Sequence, residues 1–514
     1  MENPVLGQQL KVLSLWIVGC VMAVFVGCAV GSADYVSLVI GAVILALACL
    51  AIFVGRFFWV ITIASSFFAG TFPILRGSFT PFQMLMAIGA VKFAFEDIVL
   101  RRTRIRRPLR FDLLMIIGFM SVLTLHAVHD RFGMRFLGST IWGGRNYVNV
   151  FVGFAAFFII QSIPINSKLW SKLPYLVLAV ASFDLMIGIV TTIFPASIYK
   201  IYPFYSAVSR TGIEEIVTGT AANTSRLVTF GSFGFILITL ILASVSWRGL
   251  LHPSNLLRAV TMVVGYLSVL YSSFRSSVFN ALVVTMLAGI RDLRFKVLLL
   301  IPLLAVFFFG LSIVNSDFIR LPKEVQRSLT FIPGKWDTDV ALDAAGSNEF
   351  RREVWTTWQR EFFPLHPWIG RGFGFKGEWA RPSVYRYDPE ANRRAVEIGE
   401  VHNGLFAAVD AFGIIGAIFF VVWNARLLAT ALTVPFDKRA PSELPLRFLA
   451  LYLATLIITY WFGAADVGSF LPTEFAIAGV LLHLRRTSNS DIVVCHAASE
   501  REGDREFTLS LSER

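Results

Sequence analysis

Two polar segments carry residue types suited to handling a phosphorylated substrate. The first reads Ser272-Ser273-Phe274-Arg275-Ser276-Ser277. A guanidinium grips phosphate oxygens with a two-pronged fork. Serine hydroxyls and the open amides of a helix start add further donors. The plainer reading is that Arg275 only snorkels to the edge of a bilayer. The second segment runs Glu349-Phe350-Arg351-Arg352-Glu353-Val354-Trp355, then Pro364-Leu365-His366-Pro367-Trp368-Ile369-Gly370-Arg371-Gly372-Phe373-Gly374, and closes with Val401-His402-Asn403-Gly404. It offers two adjacent arginines, a glycine-rich turn whose backbone can approach a partner closely, and an imidazole. Histidine changes charge near neutral pH, which suits His402 to proton transfer; a structural histidine at a membrane boundary is the competing reading. Asn403 either orients a substrate or caps the helix that follows.

Other polar residues admit plainer readings. Asp337-Thr338-Asp339 has the look of a metal-binding Asp-x-Asp, yet such triplets are common in polar loops, and no metal site is expected. Asp410 lies eight residues beyond His402, on about the same helical face. A carboxylate inside a membrane span is a functional-site hypothesis by default; pairing with a basic residue elsewhere is the alternative. Asp184 is read the same way. His126, Asp130 and Arg131 fall at the outer end of a span and are placed to line a vestibule, whereas His366, between two prolines, packs rather than reacts.

These residues sit between long apolar blocks. The chain has 514 residues, of which 56% are hydrophobic and only 16% charged, with 48 Phe and 12 Trp. Soluble domains carry about 25% charged residues, so lipid is the expected solvent. A bilayer takes about 20 helical residues to cross. Fourteen spans are expected, at 11–31, 36–54, 57–74, 81–99, 111–128, 147–163, 173–195, 226–246, 258–274, 276–290, 297–314, 404–424, 447–462 and 466–484. The fold expected is all-α: a transmembrane helical bundle of about 12–14 spans over 1–314 and 404–484, with one long, partly helical loop at 315–403 and a disordered tail at 485–514. Arg351 to Phe362 has helical spacing, ended by Pro364 and Pro367. Spans nine and ten leave room for only a very tight turn within Ser272–Ser277.

Charge placement sets an orientation. The net charge of +12 lies in short loops between spans, which argues against nucleic acid as a partner. With the N-terminus in the cytoplasm, every alternate loop is basic. The run Arg101 to Arg107 is one, Arg291 with Arg294 and Lys296 another, and Arg485 with Arg486 the last. Both termini are then cytoplasmic, and loops 129–146, 196–225 and 315–403 lie outside. Cys20, Cys28, Cys49 and Cys495 give no pair in the long loop, so no structural disulfide is expected. The start of the chain lacks a cleavable-signal pattern.

Taken together, these segments resemble the O-antigen ligase and polysaccharide polymerase superfamily. The tight Ser-Arg-Ser turn is one shared feature. An Arg-x-x-x-Trp helix followed by a Pro-Leu and glycine-rich turn is another. The third is His-Asn-Gly opening an apolar span with Gly413 and Gly416. The match covers about residues 258–424 by motif and the rest by topology only. The resemblance implies a metal-independent glycosyltransferase of the bacterial inner membrane with no cofactor. It would move a glycan from a polyprenyl-diphosphate donor to an acceptor hydroxyl on the periplasmic side. The acceptor would be another glycan, a lipid core or another hydroxyl carrier. Carried over by motif, Arg275 and Arg351 hold the diphosphate and His402 assists catalysis, while Arg352 competes with Arg351 by register. Ser273, Ser276, Asn403 and Asp410 are further substrate-binding candidates. Arg371 stands where the family often has a small residue, so it is either an extra phosphate contact or a surface charge.

Two other classes remain. A flippase of lipid-linked oligosaccharide suits the span number, but such transporters often show two similar halves, and no internal repeat is evident. An envelope scaffold would tolerate alanine at Arg275 and His402.

Overall fold

The structure, a computed structural model, describes residues 53–74, 77–94, 109–134, 138–163, 165–201, 204–205, 227–250, 252–375, 391–434, 443–463 and 466–487, with isolated positions before residue 53. It is an all-α helical bundle. In chain order the main helices are α1 (Phe57–Ala64), α2 (Pro81–Phe93), α3 (Arg110–His129), α4 (Gly144–Ser162), α5 (Leu173–Ile193), α6 (Val228–Ser244), α7 (Leu256–Tyr271) and α8 (Arg275–Leu293). They continue with α9 (Leu300–Ile313), α10 (Lys323–Leu329), α11 (Thr338–Thr357), α12 (Ala391–Glu397), α13 (Gly404–Leu432), α14 (Leu444–Phe462) and α15 (Val467–Thr487). Eight helical segments are long and apolar enough to cross a membrane: α3, α8, α13, α14, α15, and α5, α7 and α9 together with the helical turns that extend them to Ser167–Ile193, Pro253–Tyr271 and Lys296–Phe318; the apolar stretch at Phe57–Phe67, α2 and α6 are shorter.

Twelve of the fourteen expected spans have a helix at their place. The first two lie almost wholly outside the described residues, as do the basic run Arg101 to Arg107 and the tail. The expected third span is shorter than its apolar stretch. Its helix ends at Phe67, and the chain then forms a small antiparallel hairpin with Phe72 opposite Phe79. Pro73 cannot serve a continuing helix, and the released amides have partners elsewhere. Ala69 N–H donates to Asp184 Oδ2 at 2.8 Å and Gly70 N–H to Tyr205 Oη at 3.0 Å. Tyr205 in turn donates to Asp184 Oδ1 at 2.6 Å. Asp184 is thus a buried structural acceptor.

In lipid, helices associate through close packing and polar contacts. α6 and α7 meet on small residues: a Cβ on Gly234 would lie 2.4 Å from Gly265 O. α13 packs on α3 and α14, and α14 on α6 and α8. α14 and α15 are the most buried spans, while α9 is peripheral. At one end of the bundle, basic side chains hold helix ends. Arg426 pairs with Asp112 at 2.6 Å, Arg291 donates to Ala431 O, and Arg485 donates to Thr430 O at 3.1 Å. The opposite end carries the Ser272–Phe274 turn and the described parts of the long loop, 315–375 and 391–403. Its helices α11 and α12 share a small apolar core of Val354, Trp358, Ala395, Val396 and Val401.

Candidate functional site

The tight turn between α7 and α8 is present as expected. Ser272 closes α7, and Ser273 adopts φ +64°, a left-handed conformation costly for any side chain with a Cβ. That residue reverses the chain within three positions and makes Arg275 the first residue of α8. No side chain caps α8, so its first-turn amides face the site end, where a helix start favours anions. Ser273 is fully buried, Arg275 half-buried and Ser276 exposed. Beneath the turn a cavity of about 140 Å³ is lined by Ser232, Ser277, Asn280, Tyr452 and Thr455 among others.

A third arginine joins the turn to the arginine helix. Arg327, on α10, donates from Nη1 to Ser273 O at 2.6 Å and from Nε to Asp343 Oδ2 at 2.6 Å. Both partners of that ion pair are buried. Asp343 is on α11, which therefore docks against the Ser273 turn. α11 spans Thr338–Thr357, beginning well before the expected Arg351, then widens into a π turn at Trp358–Phe362 and tightens into a 3-10 turn at Phe363–Leu365. Its register separates the two adjacent arginines. Arg351 shares a face with Val354, Trp355 and Trp358, which pack inward. Arg352 is exposed and, among the described residues, reaches Glu349 at 3.6 Å.

α11 also holds the histidine segment. Trp355 Nε1 donates to Val401 O at 2.9 Å, and the rings of Phe350 and His402 meet edge to face at 6.3 Å. His402 itself has φ +54°. Burial, and then the charge of Arg351, push its imidazole down to about 4. Burial and the nearby Arg327 likewise lower Arg351. These mutual effects place Arg327, Arg351 and His402 in one electrostatic neighbourhood, and among the described residues no carboxylate pairs with Arg351. Asn403 caps α13: its Oδ1 accepts from the amides of Leu405 and Phe406 at 3.0 and 3.1 Å.

The glycine-rich turn has a different role from its arginine's expected one. α13 is broken at Gly413, with φ +65° and ψ 179°. Ile414 and Ile415 donate their amides to Pro367 O and Trp368 O at 2.8 and 3.2 Å, and Arg371 N–H takes up Asp410 O at 2.8 Å. Gly413 is required here, because a Cβ would sit 2.2 Å from the Trp368 carbonyl. Arg371 pairs with Asp410 at 2.8 Å and also donates to the carbonyls of Glu397 and Val396. Asp410 accepts from Trp358 Nε1 at 2.9 Å as well. Arg371 is therefore neither a surface charge nor an open phosphate fork: its donors clasp the loop to the broken helix and to α12. Asp410 pairs with this loop arginine rather than with a basic residue on another span.

The remaining polar residues are structural. His126 Nε2 meets Ile369 O at 2.9 Å, and Tyr147 Oη donates to Asp130 Oδ2 at 3.2 Å while accepting from Phe373 N–H at 3.0 Å. Asp337 engages Arg320 and Gln326, and Asp339 engages Lys323. Among the described residues no cluster of three His, Cys, Asp or Glu side chains is placed to hold a metal ion. Arg327 is the residue that sequence reasoning missed. Its only advance signal is a basic side chain in the first helix after Pro322.

No protein-family model matches the chain, and no curated protein matches it. Fold and composition define a multi-pass helical membrane protein, with a cationic, histidine-bearing site at one end of its bundle.

Proposed function

We propose that the chain is a membrane glycosyltransferase that moves a glycan from a polyprenyl-diphosphate donor to an acceptor hydroxyl at the outer face of the inner membrane. The observation that carries this reading is the grouping of Arg327, Arg351 and His402 beside the uncapped start of α8 and Arg275. Clustered guanidiniums, with no carboxylate on Arg351 among the described residues, suit a dianionic group. A diphosphate leaving group gains negative charge as the glycosidic bond breaks, and preorganised cations stabilise that charge. The left-handed Ser273 and His402 are consistent with strain held at a working site, although Arg131, Phe132 and Arg294 also have positive φ.

The low proton affinity of His402 fits a donor-first sequence. In the free protein the imidazole is neutral above about pH 4, and its lone pair is a weak base. A bound diphosphate offsets the field of Arg351 and so raises that basicity. His402 then takes the acceptor hydroxyl proton as the glycan's anomeric carbon bonds to the acceptor oxygen and the diphosphate departs with the donor bond's electrons. Arg371 and Asp410 act in this scheme as positioning residues that hold the loop under α11. Arg352 and Ser276, both exposed, are left to contact the glycan.

The test is surface-glycan profiling of a deletion strain complemented with wild type, Arg275→Ala, Arg351→Ala or His402→Ala at matched expression. Loss of long or anchored glycan in all three variants is the expected result. Accumulated single repeats on lipid would mark a polymerase, and accumulated unattached long chains a ligase. Normal glycan in all three would sink the proposal in favour of a scaffold or flippase.

A further inference from the structure

The segment Pro364–Ile369 belongs to a loop that its sequence position assigns to water, yet apart from His366, which is exposed rather than packed as expected, its side chains are apolar, and three of them are turned outward. Leu365 is 69% exposed, Trp368 64% and Ile369 53%. The backbone contacts fix its height. Pro367 and Trp368 are hydrogen-bonded to the break in α13, and Ile369 to His126. His126 lies one turn short of the end of α3 at His129. At 1.5 Å per residue, the bottom of the loop is therefore about 5 Å below the end of that span. The two spans it is bonded to carry exposed apolar residues beside those bonds: Leu125 at 70% and Val128 at 65% on α3, next to His126, and Ile415 at 46% and Ile418 at 58% on α13, just past the break. One apolar surface thus runs from α3 across the loop to α13.

We infer that Pro364–Ile369 is a re-entrant wedge that inserts Leu365, Trp368 and Ile369 into the bilayer at the boundary between head groups and acyl chains. Continuity with the lipid-facing sides of α3 and α13 identifies the occupant as lipid rather than a partner protein. The depth is that of interfacial elements, which sit about 5–10 Å into this zone, and tryptophan is enriched there. Non-helical backbone at greater depth needs its polar groups satisfied within the protein; the carbonyls of His366, Pro367, Trp368 and Ile369 have partners, while among the described residues the amides of Trp368 and Ile369 have none, which keeps the segment at the hydrated boundary. Because α11 runs directly into this wedge, the bilayer sets the height of Arg351. The inference does not rest on the glycan reading and fails or stands separately from it.

Spin-label accessibility tests it. The full chain, with its four native cysteines replaced, carries Leu365→Cys or Ile369→Cys in nanodiscs of phosphatidylethanolamine and phosphatidylglycerol. Leu125→Cys on α3 and Leu342→Cys, exposed on α11, serve as lipid and water references. The expected result at both loop positions is an oxygen-to-nickel-chelate collision ratio several-fold above that at residue 342 and close to that at 125. A nickel-accessible label at both positions would place the loop in water and overturn the inference. Labels reached by neither reagent would show a covering protein surface, which overturns it too. Two independent positions keep the test decisive if one variant fails to fold.

Discussion

At the scale of single residues, His402 gives the sharpest expectation. In the free protein its acid limb falls at about pH 4. A bound diphosphate raises the proton affinity, so the acid limb of kcat should lie at higher pH than that of kcat/KM, which reports the free protein. Coincident limbs would remove His402 as the base. Arg351→Gln should also move the residual limb upward, because it removes a cation that disfavours the imidazolium. Alanine at Arg275 or Arg351 should lower transfer by about 100-fold or more, the scale of a lost oxyanion donor. The sequence leaves Arg351 and Arg352 in competition; the register of α11 separates them, since Arg351 lies on the face of Val354, Trp355 and Trp358 and Arg352 does not. The sequence does not reveal Arg327, whose importance depends on Ser273 and Asp343 folding against it from 54 residues before and 16 residues after.

At the scale of elements, the clasp between the loop and α13 is the feature to disturb. The Arg371–Asp410 pair is buried, and removing one partner leaves the other charge stranded at a cost of about 3–5 kcal/mol. Arg371→Ala and Asp410→Ala should each lower thermal stability, and the double variant should lose less than the sum. Additive losses would mean the two groups do not act together. Gly413→Ala should undo the break, since its conformation is nearly exclusive to glycine and its Cβ meets Trp368. Faster proteolysis of the loop at unchanged membrane insertion is the expected signature. Gly413 and the glycine-rich turn are both visible in the sequence, but their partnership is not. Helical periodicity describes a chain that bonds to itself, and here α13 borrows acceptors from residues 367 and 368.

At the scale of the whole molecule, the positions of helices follow closely from apolar block length, because a bilayer enforces it. The exception at residues 68–79 arises where Asp184 and Tyr205, distant in sequence, supply partners for a non-helical backbone. The gathering of Arg291, Arg426 and Arg485 at the end opposite His402 fits the alternation of basic loops. If that end faces the cytoplasm, a cysteine at Leu342 should react with a membrane-impermeant maleimide added from outside the membrane that holds the protein. One placed at Arg294 should stay unlabelled until that membrane is opened. The reverse pattern would invert the orientation and, with it, the side on which the site works.

The break at Gly413 has a consequence for assembly. In an uninterrupted helix Ile414 would bond to Asp410 O and Ile415 to Ala411 O. In the finished bundle those two amides go to the loop, and Asp410 O receives Arg371 N–H instead. The exchange leaves neither amide bare. A newly inserted α13 can therefore enter the bilayer as an ordinary straight span and be opened afterwards, when the loop docks and replaces its bonds.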